Sequence, residues 1–258
     1  MKQTEEITRL KRENRFLLFS AIVMFLLFIS ILMLAIKTSQ QRPADAEVGI
    51  LKKATISENA IVMKVPAVDR EGNGVLATLA VEASPGNGRI LVDINSLLFF
   101  TDTQESIVIA RKVAEDFTKV NFSNYDLIYT IAAQAESIGG PSAGAALTIA
   151  TIAAVENITL REDVGITGRI LPDGSIGEVS GIAPKAEALK SAGVKLFLVP
   201  PTEGTEVTFE TSRKCEEQGN IEVCTIEKVP TNHSISEKVG IEVKEVSNIQ
   251  EVFNYFVA

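Results

Sequence analysis

The chain has 258 residues, enough for one domain plus an appendage, since a single core stops growing near ~250–300 residues. Its net charge is −8, yet residues 1–46 carry seven basic and four acidic side chains, which leaves −11 on the remainder. A part this acidic is a poor nucleic-acid binder, because such binding needs Lys and Arg to neutralise phosphates, and with a single histidine, His233, no zinc-ligand spacing arises.

The mean hydropathy of +0.20 traces largely to one segment. Phe16 to Ile36 holds no charge and no proline. At ~1.5 Å per residue it reaches about 31 Å, the thickness of a hydrocarbon core. It is apolar all round and too long for a signal-peptide core, although Ala44-Asp45-Ala46 has the small-residue look of a cleavage site. Residues 16–36 are therefore expected to form a single transmembrane anchor. Lys2, Arg9, Lys11, Arg12 and Arg15 precede it, whereas only Lys37 and Arg42 follow closely. The positive-inside tendency places residues 1–15 in the cytoplasm and the large domain on the non-cytoplasmic side of the cell membrane. Residues 37–47 read as a polar linker, and 48–258 as the domain.

Within the domain, Ala60–Val68, Val75–Glu82 and Gly88–Ile94 read as strands separated by Gly- and Asn-containing turns. Asp102, with Glu105 three residues on, suggests a capping box opening a helix. Ile107, Ala110, Val113, Ala114 and Phe117 form the apolar stripe of that helix. Asp126–Ala133 is a further strand, and an apolar helix runs from Ser142 to about Glu156. Val164–Leu171 and Ser175–Val179 suggest a hairpin around Asp173-Gly174. Pro184 is expected to open a helix ending near Gly193, and Val194–Val199 reads as a buried strand. The tail, about 204–258, adds two short strands around Cys215 and Cys224 and a last helix carrying Ile249, Val252, Phe253 and Phe256. The two cysteines lie nine apart. Outside the cytoplasm they could close a small disulfide loop; buried free thiols are the other reading. Asn121, Asn157 and Asn232 head Asn-x-Ser/Thr tripeptides, glycosylation candidates if the domain lies outside. Strands that do not strictly alternate with helices make the fold class α+β.

The stretch Gly139-Gly140-Pro141-Ser142-Ala143-Gly144 stands directly before a helix. Gly140 allows a tight approach, and Pro141 suits a first helical turn, where its missing N–H costs nothing. Ser142 then sits where unpaired amides and the helix dipole stabilise negative charge, suited to a nucleophile beside an oxyanion hole. A serine needs a base. His233 lies in a polar Asn-His-Ser stretch that reads as an exposed loop, so a Ser-His-Asp triad is disfavoured. Lysine, whose pKa falls readily on burial, is the alternative. Lys185 follows Gly181-Ile182-Ala183-Pro184, near a helix start and without an acidic neighbour in that turn. Lys190, one turn on, is expected to face solvent.

These blocks, with Asp163-Val164-Gly165-Ile166-Thr167-Gly168, Ala192-Gly193-Val194-Lys195 and Val199-Pro200, occur in order in a pattern that closely resembles the Lon protease proteolytic domain. The likeness runs over roughly Ala60 to Pro200. It implies a Ser–Lys dyad of Ser142 and Lys185, with Thr167 orienting the lysine and Gly140 and Pro141 shaping the serine turn. It also implies protein or peptide substrates and a homo-oligomer, such as a hexameric ring. The chain departs from the family where an acidic residue usually stands three positions before the serine; here that residue is Gly139. No Gly-x-x-x-x-Gly-Lys-Ser/Thr loop is present, since Ala145-Ala146 follow Gly144, so no ATP is expected to bind this chain and no cofactor or metal is implied. The expectation is an ATP-independent, membrane-anchored serine endopeptidase. The alternatives are a catalytically inactive membrane adaptor, favoured by Gly139, and a phosphate-binding module on the glycine loop, disfavoured by the missing Lys-Ser/Thr and the acidic charge.

Overall fold

In the computed structural model, residues 24, 26–30, 57, 59–93, 98–99, 101–133, 137–138, 140–218 and 221–257 are described. Residues 1–46 and 47–258 form two separate compact units. Most of the expected anchor at 16–36 falls outside the described residues; Met24 and residues 26–30 are helical and exposed. Among the described residues, no helix is long and apolar enough to cross a membrane.

The second unit opens with β1 (Ile61–Val68) and β2 (Gly74–Pro85), an antiparallel pair. β3 (Ile90–Asp93) follows, then a two-residue β4 (Leu98–Phe99) and the helix α1 (Thr101–Thr118). β5 (Tyr125–Ala133) pairs antiparallel with β2 and parallel with β3, giving a sheet of order β1-β2-β5-β3. The centre of β2, Ala77 to Val81, is buried on both faces, which accounts for its nearly continuous apolar run. Arg89 is bound by its guanidinium and its backbone amide to Asp126, which locks the turn before β3 to the start of β5. These bonds, with the amide of Asn87, hold the Asp126 carboxyl well below the usual carboxylate range.

β6 (Ser137–Ile138), parallel to β4, precedes a 3-10 turn at Pro141–Ala143 and the helix α2 (Gly144–Glu156). Gly144 through Ala153 are all buried. Helix α2 packs against α1 and against one face of the sheet, where Leu79, Tyr129, Ile107, Leu147 and Ile149 meet in the main core. Asn157 adopts a left-handed conformation and ends α2. β7 (Val164–Ile166), β8 (Arg169–Ile170) and β9 (Ile176–Gly177) come next, then α3 (Ile182–Ser191) and β10 (Leu196–Val199). α3 packs against β1 and β2, and its Ala186 and Leu189 share a second core with Phe197 and Ile235.

The tail differs most from expectation. β11 (Thr205–Gln218) and β12 (Ile221–Ser234) are not short strands but one long antiparallel hairpin of 14 residues a side. Cys215 and Cys224 face each other near its tip and form a disulfide. Phe209 and Ile226 on this hairpin are exposed. The chain then forms α4 (Ile235–Val239), β13 (Glu242–Glu245) and α5 (Ile249–Phe256). β10 lies between β13 and β7, parallel to both.

Several expected boundaries move, among them the start of the helix expected from Ser142, which is Gly144 because Pro141–Ala143 form a 3-10 turn. α1 starts at Thr101, so Asp102 lies in its first turn and accepts from the Thr103 amide rather than standing as the cap. α3 begins at Ile182, two residues before Pro184, because Gly181 takes the left-handed conformation that caps it (φ 74°). The expected Val164–Leu171 strand breaks at Thr167-Gly168: its first half pairs with β10 and its second with β9. That break is what sets Thr167 within the candidate site.

Candidate active site

Ser142 sits in the 3-10 turn ahead of α2, introduced by Gly140 at φ 99° and ψ 151°, with Pro141 at its first position. A side chain would be strained at that φ, so glycine suits Gly140 and the turn that follows it. The turn is tied to the break after β7 by reciprocal backbone bonds. The Gly168 amide donates to the Ser142 carbonyl at 2.9 Å, and the Ala145 amide donates to the Gly168 carbonyl at 3.0 Å. Gly144 lies flat against β8: a Cβ there would stand 2.6 Å from the Ile170 backbone nitrogen and 2.7 Å from its Cγ2. The nearest obstacle is backbone, which cannot swing aside. Gly144→Ala is therefore expected to destabilise the domain by about 1–3 kcal/mol, the cost of overpacking, despite alanine's better helix propensity of ~1 kcal/mol. Thermal melts of the variant would show this as a lowered midpoint.

Thr167 is fully buried. Its amide donates to the Leu198 carbonyl at 3.1 Å, which fixes it beside β10. Its hydroxyl bonds in two directions: it donates to the Ser142 carbonyl at 3.3 Å and accepts from Lys185 Nζ at 3.2 Å. Lys185, in the first turn of α3, is only 3% exposed. Its amide donates to the Gly181 carbonyl, so the turn that starts the helix also sets the direction of the lysine. Burial brings its ammonium from the ordinary 10.5 down to about 8, while the negative charge of Glu203 pulls the other way. Glu203 is held by the Val179 amide, which donates to its carboxylate at 2.8 Å. Glu203 was not singled out in the sequence, because it lies 18 residues from the lysine and only folding brings the turn after β10 near α3.

The structure thus joins Ser142, Thr167 and Lys185 through one hydroxyl, with Gly140 and Pro141 shaping the serine's turn. Lys190 is exposed as expected, with its amine on the Val239 carbonyl. His233 is exposed on β12, opposite Glu206, in a strand rather than a loop. Gly139 lies outside the described residues. Among the described residues, no group of His, Cys, Asp and Glu could hold a metal ion.

A small, largely enclosed cavity of about 20 Å³ lies beside Ser142. Val65, Leu79 and Ile131 of the sheet line it, with Thr103 of α1 and Gly140 on the serine's own side. Thr103 was missed in the sequence, where it reads as an ordinary first-turn residue. It is 3% exposed, and its hydroxyl has no hydrogen-bond partner. An orphaned buried hydroxyl costs about 1–3 kcal/mol.

Residues 74–236 match the model of the Lon protease (S16) C-terminal proteolytic domain. The chain is similar to an archaeal Lon protease of Thermococcus kodakarensis, with 30% identity over 186 residues, covering 70% of this chain and 28% of that protein. A second archaeal Lon protease, from Archaeoglobus fulgidus, is 25% identical over 201 residues, covering 75% of this chain and 31% of its own length. A Lon protease of Phenylobacterium zucineum is 32% identical over 130 residues, covering 49% of this chain and 16% of the relative. The chain spans less than a third of the length of each of these relatives. With the family model covering well over half of its residues, the chain belongs to the Lon protease C-terminal proteolytic-domain family.

Proposed function

We propose that this chain is a serine endopeptidase in which Ser142 is the nucleophile and Lys185 its general base. The observation that carries the reading is the burial of the Lys185 amine with only a neutral hydroxyl, that of Thr167, as its hydrogen-bond partner. A lysine on the surface stays charged and cannot accept a proton near neutrality; one brought to about 8 is partly free amine there. The Ser142 hydroxyl attacks the scissile carbonyl as its proton passes to Lys185 Nζ. The Ser142 amide, next in the turn after the N–H-less Pro141, is the donor assigned to the resulting oxyanion. Collapse breaks the C–N bond, and the lysine returns the proton to the leaving amine. Water then repeats the sequence on the acyl-enzyme with the same base.

Thr167 is assigned to positioning. Its hydroxyl touches both the lysine amine and the carbonyl of the serine, so it fixes one relative to the other. Thr167→Val should lower kcat by roughly 10–100-fold with little change in KM, as expected for a misplaced base. Thr167→Ser should recover most of the loss. Steady-state kinetics on a fluorogenic peptide would separate these cases.

The finer reading is a membrane-anchored enzyme that works without ATP. Its support is the uncharged stretch 16–36, the flanking charge bias, and the missing Lys-Ser/Thr after Gly144. The domain would then stand outside the cytoplasm and cut loops, peptides or unfolded chains, as one subunit of a homo-oligomer, for which a hexameric ring is the family expectation. Incubating the full chain with casein, with and without nucleotide, tests the core of this. Peptide products that do not depend on ATP support it, and intact casein in both arms would refute it. Gly139 in the position of the family's acid favours a second reading, a non-catalytic membrane adaptor. In that case Ser142 would resist a serine-reactive probe.

A further inference from the structure

We propose that Glu203 is a positioning residue of the site: its carboxylate fixes the loop from which α3 starts and supplies the counter-charge to the Lys185 ammonium. The inference rests on the protease reading. Its starting point is the backbone just ahead of Glu203. The Glu203 amide donates to the Pro200 carbonyl at 3.3 Å, closing a turn with Pro201 and Thr202 at its two central positions. Thr202 stands there at φ 69°. A positive φ at the second central position normally falls to Gly or Asn, and for a β-branched side chain it is an outlier. Among the described residues, Lys119 and Asn157 are the other non-glycine residues at positive φ, and neither is β-branched. Strain of this kind persists only where the surroundings over-determine it, and it gathers at functional sites.

The surroundings of this turn hold it from both sides. Before it, Val199 ends β10 and its carbonyl accepts from the Val246 amide. After it, the Gly204 amide donates to the Glu245 carboxylate at 3.1 Å, and the Gly204 carbonyl accepts from the Ile235 amide. Between these ties Glu203 is half-buried, and its carboxylate accepts from the Val179 amide at 2.8 Å. Val179 lies two residues before Gly181, the left-handed cap of α3 whose carbonyl receives the Lys185 amide. One side-chain bond thus joins the strained turn after β10 to the loop that launches the lysine's helix, 24 residues away in sequence. Where that loop sits decides where the amine of Lys185 points.

The carboxylate brings a charge as well as a bond. That charge favours the ammonium form of Lys185, while burial disfavours it. The other charged groups on α3 and on the elements packed against it do not take this part. On α3 itself, Glu187 and Lys190 are exposed, and Lys190 is held by the Val239 carbonyl. Lys64 of β1 donates to the Ala192 carbonyl at the far end of the helix. Glu82 of β2 lies eight residues along the strand from Gly74, the point at which Pro184 meets it. On α4, Lys238 pairs with Glu206 and Glu237 is exposed. β10 has no charged side chain, and Glu178, beside Val179, is exposed. Among the described residues, Glu203 is the one whose charge bears on the amine. It therefore decides at what pH the base becomes free, and its bond to Val179 decides where that base stands.

The test measures kcat/KM on fluorescently labelled casein from pH 6 to pH 9.5 with the full chain and two variants. Glu203→Gln keeps an oxygen for the Val179 amide and removes the charge; Glu203→Ala removes both. Without the charge the amine gives up its proton at lower pH, so the rising limb in E203Q should move toward acid. The ratio of kcat/KM at pH 6.5 to that at pH 9 should then exceed the wild-type ratio by about threefold or more. E203A should lose roughly tenfold or more on the alkaline plateau, as for a misplaced base, and E203Q should recover most of that loss. Denaturant melts give a second reading. E203Q should be less stable than wild type at pH 6.5, where the ammonium has lost its counter-charge, and closer to it at pH 9.5, where the amine is neutral in both. In a Lys185→Met background that pH dependence should vanish. A role in folding alone would move neither the limb nor the pH dependence of the melts. A limb in E203Q that coincides with wild type or moves toward alkali overturns the inference and leaves the protease reading standing. A plateau in E203A equal to that of E203Q, or a cost of E203Q that is the same at both pH values, overturns it as well. If E203A does not fold, E203Q alone decides. No cleavage of casein by wild type removes the protease reading itself and this inference with it.

Discussion

Ser142→Ala is expected to end casein hydrolysis, with a loss of at least ~10³-fold, while the domain melts at the wild-type temperature. The separation of the two effects follows from what each part of Ser142 does. Its carbonyl accepts from the Gly168 amide and the Thr167 hydroxyl, and these bonds hold the turn. They belong to the backbone and survive the substitution. The side chain is half-buried and lines the cavity, and among the described residues no hydrogen bond of its hydroxyl contributes to the fold. Removing a nucleophile that acts as one unit with its base commonly costs as much as removing the whole unit. The double variant Ser142→Ala/Lys185→Met should therefore be no slower than either single one. Progress curves with casein, paired with a thermal melt, measure both. Full activity in the alanine variant would remove Ser142 from the chemistry.

Lys185→Met should abolish hydrolysis to the same degree and, unlike the serine change, make the domain more stable at neutral pH. The amine titrates near 10.5 when exposed and about 8 when folded. Below pH 8 it carries its proton in both states, and the folded protein bears the full penalty of a buried charge. Between about 8 and 10.5 the folded state has released the proton and the unfolded state still holds it. The unfolded state then binds more protons, so wild-type stability rises with pH across that window, and above it the penalty is gone. The span is worth on the order of 3 kcal/mol, which a methionine of similar length should recover below pH 8. Denaturant melts of both proteins at pH 7 and pH 10.5 check this: their difference should shrink at the higher pH. In wild type, kcat/KM should rise with pH and level off above about 8, as the free amine becomes the major form. A lysine variant as active as wild type, or a profile flat through that region, would contradict the assignment.

The candidate site residues were legible in the sequence as local pattern, and so was the mixed class of the fold. Ser142, Lys185 and Thr167 stand in blocks whose order is local information, and the structure brings all three to one hydroxyl. The central strands were also legible, because β5 is buried along most of its length and β2 across its centre, and both read as apolar runs bounded by turns. What failed depended on distant partners. The break at Thr167-Gly168 has no turn residue to announce it apart from Gly168; it exists because β7 finds β10 while β8 finds β9. α4 and β13 were missed because five- and four-residue elements carry too little periodicity to read. The 14-residue strands of the hairpin were read as short because Thr205–Ser234 is polar and charged, with Pro230 inside it, features that usually argue against a strand. Thr103 and Glu203 gave no signal, since the neighbours that matter to each are far away in the chain.

The stapled hairpin has one further consequence. Its two ends meet: Thr205 lies opposite Ser234, and the Ile235 amide donates to the Gly204 carbonyl at 3.0 Å. The chain departs and comes back at a single doorway, with β10 and the residues around Lys185 before it in sequence and β13 after it, and the ion pair of Lys238 on α4 with Glu206 on β11 bridges it. Residues 205–234 thus form an arm: splicing Gly204 to Ile235 through a short turn would remove it, with the Lys238–Glu206 ion pair, and leave every ladder of the parallel sheet β13-β10-β7 in place.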